Sequence, residues 1–202
     1  MLQSRLLAVR EFVKRHRLLI LICATIVVVT GAVELWMGRT FLGPDGRFGI
    51  WEGDIWCSEM SQRFLDPYSC SHLIHGMLFY GLLWLAARRL PVSRRLIGAL
   101  LLEAGWEILE NSPIVIDRYR TATIAVGYVG DSVLNSMSDL LMVVIGFSFA
   151  LRARVWAIVA TIVAMELTTL FWVRDNLTLN IIMLLHPIDA IKAWQLAGQP
   201  LP

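Results

Sequence analysis

Five stretches of this chain are long and apolar enough to be solvated by lipid rather than by water. They cover residues 18–37, 72–87, 96–112, 132–151 and 155–173. A membrane-crossing helix needs ~20 mostly apolar residues, with ~17 as the lower limit. In hydrocarbon every backbone N–H and C=O must pair within its own segment, so such runs fold as helices. The expected fold is an all-α, polytopic transmembrane helical bundle forming a single integral membrane domain over 1–202. A last stretch, 177–196, is interrupted by His186-Pro187 and Asp189. It is expected to be a sixth span, a re-entrant C-terminal helix or an interfacial helix.

Composition agrees. Hydrophobic residues make up 57% of the 202 and charged residues 17%, whereas soluble domains sit nearer half and a quarter. A net charge of +2 does not suggest nucleic acid as a partner. The basic residues fall in blocks between the runs. Arg5, Arg10, Lys14, Arg15 and Arg17 precede the first. Arg88, Arg89, Arg94 and Arg95 lie between the second and third, and Arg152 and Arg154 between the fourth and fifth. Alternate connections are therefore expected in the cytoplasm, including the basic N-terminus 1–17. The loops 38–71 and 113–131 then face the periplasm or cell exterior. The N-terminus reads as an uncleaved anchor, because Thr30-Gly31-Ala32 is a poor cleavage site. The loop 38–71 contains a Gly-Pro-Asp-Gly turn at 43–46, and Trp51 and Trp56 suit an interfacial lid.

Cys23 lies inside the first run and reads as a small hydrophobe. Cys57 and Cys70 share the external loop. A disulfide is chemically allowed there and would stabilise the loop by ~3 kcal/mol. Two unpaired thiols are the alternative, and the disulfide is preferred.

Ionisable residues within spans cost ~2.5 kcal/mol or more each, yet here they recur. The second run opens with His72 and His75, three residues apart and so on one helical face. The third carries Glu103, Glu107 and Glu110, followed by Asn111. The fourth is preceded by Gly130-Asp131 and carries Ser132, Asn135, Ser136 and Asp139, and the fifth carries Glu166. Spacings of three and four align each set on one stripe. At 1.5 Å per residue, His75, Glu110 and Asn135 fall roughly one turn below the outer surface, with Glu107, Asp139 and Glu166 roughly 9–12 Å down. So many carboxylates in a low-dielectric bundle require protonation or a cation. Candidate cations are the histidines, Arg118, Arg120, Arg174 and a bound metal. Two histidines with carboxylates are acceptable ligands for zinc or another divalent ion, and His72, His75 and Glu110 are the candidate set. The bland alternatives are specific. His72 could cap its helix at the interface, and Asp131 could be only the N-cap of the fourth span. Glu103 could bond a neighbouring carbonyl, Glu107 and Glu110 could hold helices together, and Glu166 could pair across the bundle. Asn135 and Asp139 are harder to explain in this way.

The segments His72-x-x-His75-Gly76, Trp106-Glu107-x-x-Glu110-Asn111-Ser112-Pro113 and Gly130-Asp131-Ser132-x-x-Asn135-Ser136-x-x-Asp139 resemble an uncharacterised family of small alphaproteobacterial inner-membrane proteins. The resemblance covers most of the chain. The order His, Glu, Asp with a later Gly146 is remotely similar to VanZ-like membrane proteins. The resemblance implies a bacterial inner (plasma) membrane and a polar stripe that matters; it implies no substrate. The leading expectation from the residues is a polar site open to the periplasmic side that acts on an envelope lipid or lipid-linked intermediate. In it Glu107 or Asp139 serves as acid/base. His75 and Glu110 bind a metal or orient the substrate. Asn135, Asn111 and Asp131 hydrogen-bond the substrate, and Arg118 and Arg120 attract an anionic headgroup. A proton or cation transporter and a non-catalytic scaffold are the competing readings.

Overall fold

The structure is a computed structural model that describes the backbone of residues 2–199 and the side chains of residue 14 and of residues 16–199. Arg5, Arg10 and Arg15, used above for orientation, lie outside the described side chains. The order of elements is α1 Leu2–Trp36, α2 Ser69–Ala87, α3 Val92–Glu110, α4 Pro113–Ala122, α5 Val133–Ala150, α6 Val155–Val173, α7 Leu177–Leu185 and α8 Asp189–Leu196. Among the described residues there is no strand, only an isolated bridge between Trp51 and Leu65. The fold is therefore an all-α bundle.

Four helices are long and apolar enough to cross a membrane: His16–Trp36 within α1, then α2, α5 and α6. α3 has the same 19-residue length as α2 and α6. Arg94, Arg95, Glu103, Glu107 and Glu110 make it too polar to meet the same test. It packs on α1, α2 and α5 instead of standing in lipid alone. The C-terminal stretch is not a sixth span. α7 has nine residues and α8 eight, so each rises only ~12–14 Å, far short of a bilayer core. The break is at His186-Pro187: Pro187 offers no N–H and disfavours helix at the residue before it, and His186 has φ −143° and ψ 87°.

The closest packing in the bundle is between α2 and α5. Gly76 and Gly146 make it possible. A Cβ on Gly76 would lie 2.8 Å from the Phe147 nitrogen and closer still to the Val143 carbonyl oxygen, and one on Gly146 would lie 3.3 Å from Gly76 Cα. The two backbones touch, as small residues allow in lipid-embedded helix pairs. Ala99, Val143 and Phe147 pack on one side of this crossing with Phe79, Tyr80, Leu83 and Leu96. Leu100, Ala104 and Leu140 pack on the other with Ile26, Val27, Val144 and Cys23, which is the small hydrophobe expected. Arg95 is also buried, its guanidinium 5.7 Å from the Tyr80 ring centroid.

The segment between α1 and α2 lies over the N-terminus of α5. The orphan N–H groups of that helix end are satisfied by it: Ser132 N donates to Ser61 O (3.0 Å), Val133 N to Thr40 O (3.0 Å) and Leu134 N to Phe41 O (3.2 Å). Ser132 is the N-cap, its Oγ accepting from Asn135 N, so Asp131 does not serve as the cap. Arg63 holds the loop in shape through both oxygens of Asp45 (3.1 and 2.6 Å), and this hydrogen-bonded guanidinium lowers the Asp45 pKa. Trp51 stacks on Trp172 at 5.7 Å between centroids, which ties the loop to the end of α6. The expected disulfide is absent: Cys57 and Cys70 are both free. Cys57 sits in the loop and lines the cavity described below, whereas Cys70 lies in the first turn of α2 and does not line it. Hydrogen bonds, the Arg63 ion pair and tryptophan stacking hold the loop without a crosslink.

Candidate functional site

α2 and α3 bring two histidines onto one buried carboxylate. His72 and His75 are three residues apart and so project from the same face of α2. His72 Nδ1 lies 2.5 Å from Glu103 Oε1, and His75 Nδ1 lies 3.1 Å from each Glu103 oxygen. Glu103 is fully buried. It is the pivot of the site, although the sequence suggested for it no more than a bond to a neighbouring carbonyl. The other edge of His72 faces α5, with Nε2 3.8 Å from Asp139 Oδ2, and Glu107 Oε1 is 3.4 Å from His72 Nδ1. The Gly76–Gly146 crossing sets this approach: His72 lies about one turn from Gly76 and Asp139 about two turns from Gly146. Both Glu107 oxygens and Asp139 Oδ1 are buried without a hydrogen-bond partner.

Above this centre lies a second layer of polar groups. Asn111 at the end of α3 clasps the segment before α5: its Oδ1 accepts from Asp131 N (2.7 Å) and its Nδ2 donates to Asp131 Oδ2 (3.0 Å). The Tyr128 hydroxyl donates to Asp131 Oδ1 (2.9 Å). Burial raises the Asp131 pKa, and these two donors oppose the rise. Asn135 Nδ2 donates to Arg63 O (2.8 Å) and reaches Asp66 Oδ2 at 3.4 Å. Burial, with the negative charge of Asp131, pushes Asp66 up to about 6. Gly130 permits the clasp because it has a φ of +89° and a Cβ there would strike Asn111 Oδ1 at 2.9 Å.

A cavity of about 1020 Å³ opens on this centre. Its floor carries His72, His75, Glu110, Asp131, Asn135 and Asp139, with Asp66 alongside. Most of its remaining lining is apolar, with Leu78 and Phe79 from α2, Leu102, Trp106 and Leu109 from α3, and Ile181 and Leu184 from α7, and Ser58, Ser61, Asn180 and Gln199 also contribute. Among the described residues, no Lys or Arg lines it.

Not every expected site residue reaches the cavity. Arg118 donates to Leu184 O (2.8 Å) and Arg120 to Tyr128 O. They tie α4 to α7 and to the loop before α5, and neither lines the cavity. Asn111 braces the backbone. Glu110 is on the floor, but the partner of both histidines is Glu103. Glu166 is elsewhere; its oxygens accept from Leu177 N and Thr178 N (3.0 and 3.1 Å) at the start of α7. Four groups escaped the sequence reading. Glu34, fully buried in α1, sits three residues inside the end of the apolar run 18–37, which was its only signal. Asp66 and Tyr128 lie in connecting segments, and Tyr119 in the short helix α4, inside the stretch 113–131 that the sequence presents as a loop.

The fold and centre define a class: a membrane-helix bundle with a histidine–carboxylate centre beneath an amphipathic cavity. Residues 34–197 match the family described as "Protein of unknown function (DUF2585)", and the chain belongs to that family. A UPF0314 protein of Rhizobium johnstonii is 50% identical over 173 residues, covering 86% of this chain and 89% of the relative. Others from Sphingopyxis alaskensis and Paracoccus denitrificans are 48% identical over 179 residues and 46% over 172, covering 88% and 85% of this chain and 95% and 89% of the relative. The expected membership of an alphaproteobacterial family is thus met, and the VanZ likeness finds no support in these matches. No solved structure matches the chain.

Proposed function

We propose that this chain is an inner-membrane protein, with its N-terminus in the cytoplasm, that takes the headgroup of an envelope lipid or lipid-linked intermediate into its polar centre from the periplasmic leaflet. The cavity carries this reading, because it pairs a polar floor with apolar walls. Leu78, Leu102 and Leu109 line it and are also 49%, 46% and 52% exposed at the outer surface of α2 and α3. In a bilayer those flanks face acyl chains, so the cavity has a lateral mouth between α2 and α3. A lipid can enter headgroup first and leave its tails in the membrane. The basic blocks beside α1, between α2 and α3 and between α5 and α6 support the assigned orientation.

At the floor, His75 and Asp139 are within reach of a headgroup and Asn135 and Asp131 can hydrogen-bond it, with Glu107 behind them. Asp139 or Glu107 serves as the acid/base and Glu103 fixes both imidazoles. The test uses Gly105, which lines the cavity and has nothing within 4 Å of a built Cβ. A Gly105→Phe variant plugs the mouth without striking the core. Lipids extracted from detergent-purified wild-type protein should include a retained species that is lost from Gly105→Phe at unchanged thermal stability. An identical lipid profile in the two proteins would refute the proposal.

A further inference from the structure

A buried carboxylate normally finds a donor. At the centre, three carboxylate oxygens do not: Glu107 Oε1, Glu107 Oε2 and Asp139 Oδ1. Glu107 is 0% exposed and Asp139 3%. His72 stands between them, and its hydrogen-bonding edge is already taken. Glu103 accepts from Nδ1 of both histidines, which places a ring proton on Nδ1. His72 Nε2 faces Asp139 Oδ2 at 3.8 Å, too far for a hydrogen bond. A positive charge belongs between them, a second ring proton or a bound cation, and a ring proton alone leaves both Glu107 oxygens and Asp139 Oδ1 without a partner.

We propose that His72, Glu107 and Asp139 hold a divalent transition-metal ion, with Glu103 as the positioning residue that orients His72. One ligand atom from each of the three lies within 4.8 Å of the other two. Ligands bonded at 2.0–2.2 Å stand about 3.0–3.5 Å apart when adjacent, so the 3.8 Å between His72 Nε2 and Asp139 Oδ2 closes around an ion with a small side-chain shift, while Glu107, 3.4 Å from the Nδ1 edge of the same ring, must turn an oxygen toward Nε2. The alternative trio of His72, His75 and Glu103 is already closed: 2.5 Å between His72 Nδ1 and Glu103 Oε1 is a hydrogen bond and leaves no room for an ion. A histidine nitrogen with carboxylate oxygens suits zinc, manganese or iron(II) better than magnesium or calcium. The carboxylate–histidine–metal relay, with Nδ1–H on Glu103 and Nε2 on the ion, is how protein metal sites commonly fix the tautomer.

The ion also answers a chemical need of the cavity. His72 and Asp139 line its floor, and among the described residues no Lys or Arg does. A phosphate-bearing headgroup would meet only acids and neutral groups there. A divalent ion with an open coordination position supplies the missing positive charge. The inference rests on the reading of this centre as a working site, gives Glu107 and Asp139 a ligand role in place of the acid/base role above, and has a test that needs no lipid.

The full chain, carrying an affinity tag without histidine, is purified in mild detergent and its metal content measured by plasma mass spectrometry. About one equivalent of a single transition metal is expected. After chelation the protein should take up Co²⁺ with a visible d–d absorption band. His72→Ala and Asp139→Asn should lose the band, and Glu103→Gln should bind roughly 10–100-fold more weakly. A Cys57→Ser/Cys70→Ser variant should bind normally, since thiols are not ligands. Where a substitution prevents folding, the wild-type protein still decides: its melting temperature should rise on adding Zn²⁺ or Mn²⁺ and fall back with chelator. Metal below a tenth of an equivalent with no melting shift overturns the proposal. So does stoichiometric metal that His72→Ala and Asp139→Asn leave unchanged. Metal without a retained lipid would overturn only the lipid reading, and lipid without metal only this one.

Discussion

Gly76→Ala tests the packing that brings His72 to Asp139. The added Cβ would lie 2.8 Å from Phe147 N and closer to Val143 O, where carbon needs about 3.5 Å. The atoms in the way are helix backbone, which cannot rotate aside, so α2 and α5 must part by about 1 Å. Overpacking of this kind costs about 1–3 kcal/mol, and the backbone contact places this case at the upper end. For a chain of this size that lowers the melting temperature by roughly 5–10 °C. Gly81, on the same helix, is the control, because nothing lies within 4 Å of its built Cβ. Gly81→Ala should be neutral or raise stability by up to ~1 kcal/mol, as alanine favours helix. Thermal melts in detergent, followed by circular dichroism, read both. Gly146→Ala should resemble Gly76→Ala, and the double variant should cost less than the sum, because one separation relieves both clashes. Equal melting temperatures for Gly76→Ala and Gly81→Ala would refute the close crossing.

Asp175 accepts from the Tyr68 hydroxyl (3.1 Å) and Gln195 Nε2 (3.0 Å), and burial pushes it up to about 6. A raised carboxyl pKa means the folded state holds the proton more tightly. Its contribution is complete below about pH 4 and is lost as pH rises through 6; pH-dependent melts should lose that slope in Asp175→Asn. Ser132→Ala removes an N-cap and the bond from Ser132 Oγ to Gln62 O (3.1 Å), and should cost about 1–2 kcal/mol in chemical denaturation. Maleimide should label all three cysteines of denatured protein without reductant. Cys57→Ser/Cys70→Ser should then melt like wild type, rather than lose the ~3 kcal/mol that a disulfide would supply.

The sequence by itself determined the long apolar helices and the polar stripes, but not α4, which lies in a segment read as a loop. Residues 155–173 were read as a span and form α6 without change, and 132–151 differs from α5 by one residue at each end. Backbone in hydrocarbon forms either a helix or a closed barrel, and an uninterrupted apolar run of this length excludes the short alternating strands of a barrel. The spacing of His72 and His75, and of Glu103, Glu107 and Glu110, likewise fixed which residues share a face. Which face meets which partner was decided only by packing. Nothing in the spacing distinguishes Glu103 from Glu110 as the partner of the histidines; the depth at which α3 passes α2 does. Glu166 and Asp139 were assigned similar depths, yet one caps α7 and the other meets His72, because depth along a helix does not specify rotation about it. Cys57 and Cys70 were read into one loop, but Cys70 lies in the first turn of α2 and both are free. Rotation, crossing angle and loop path arise from contacts distant along the chain, such as Gly76 against Gly146, and local pattern carries no record of them.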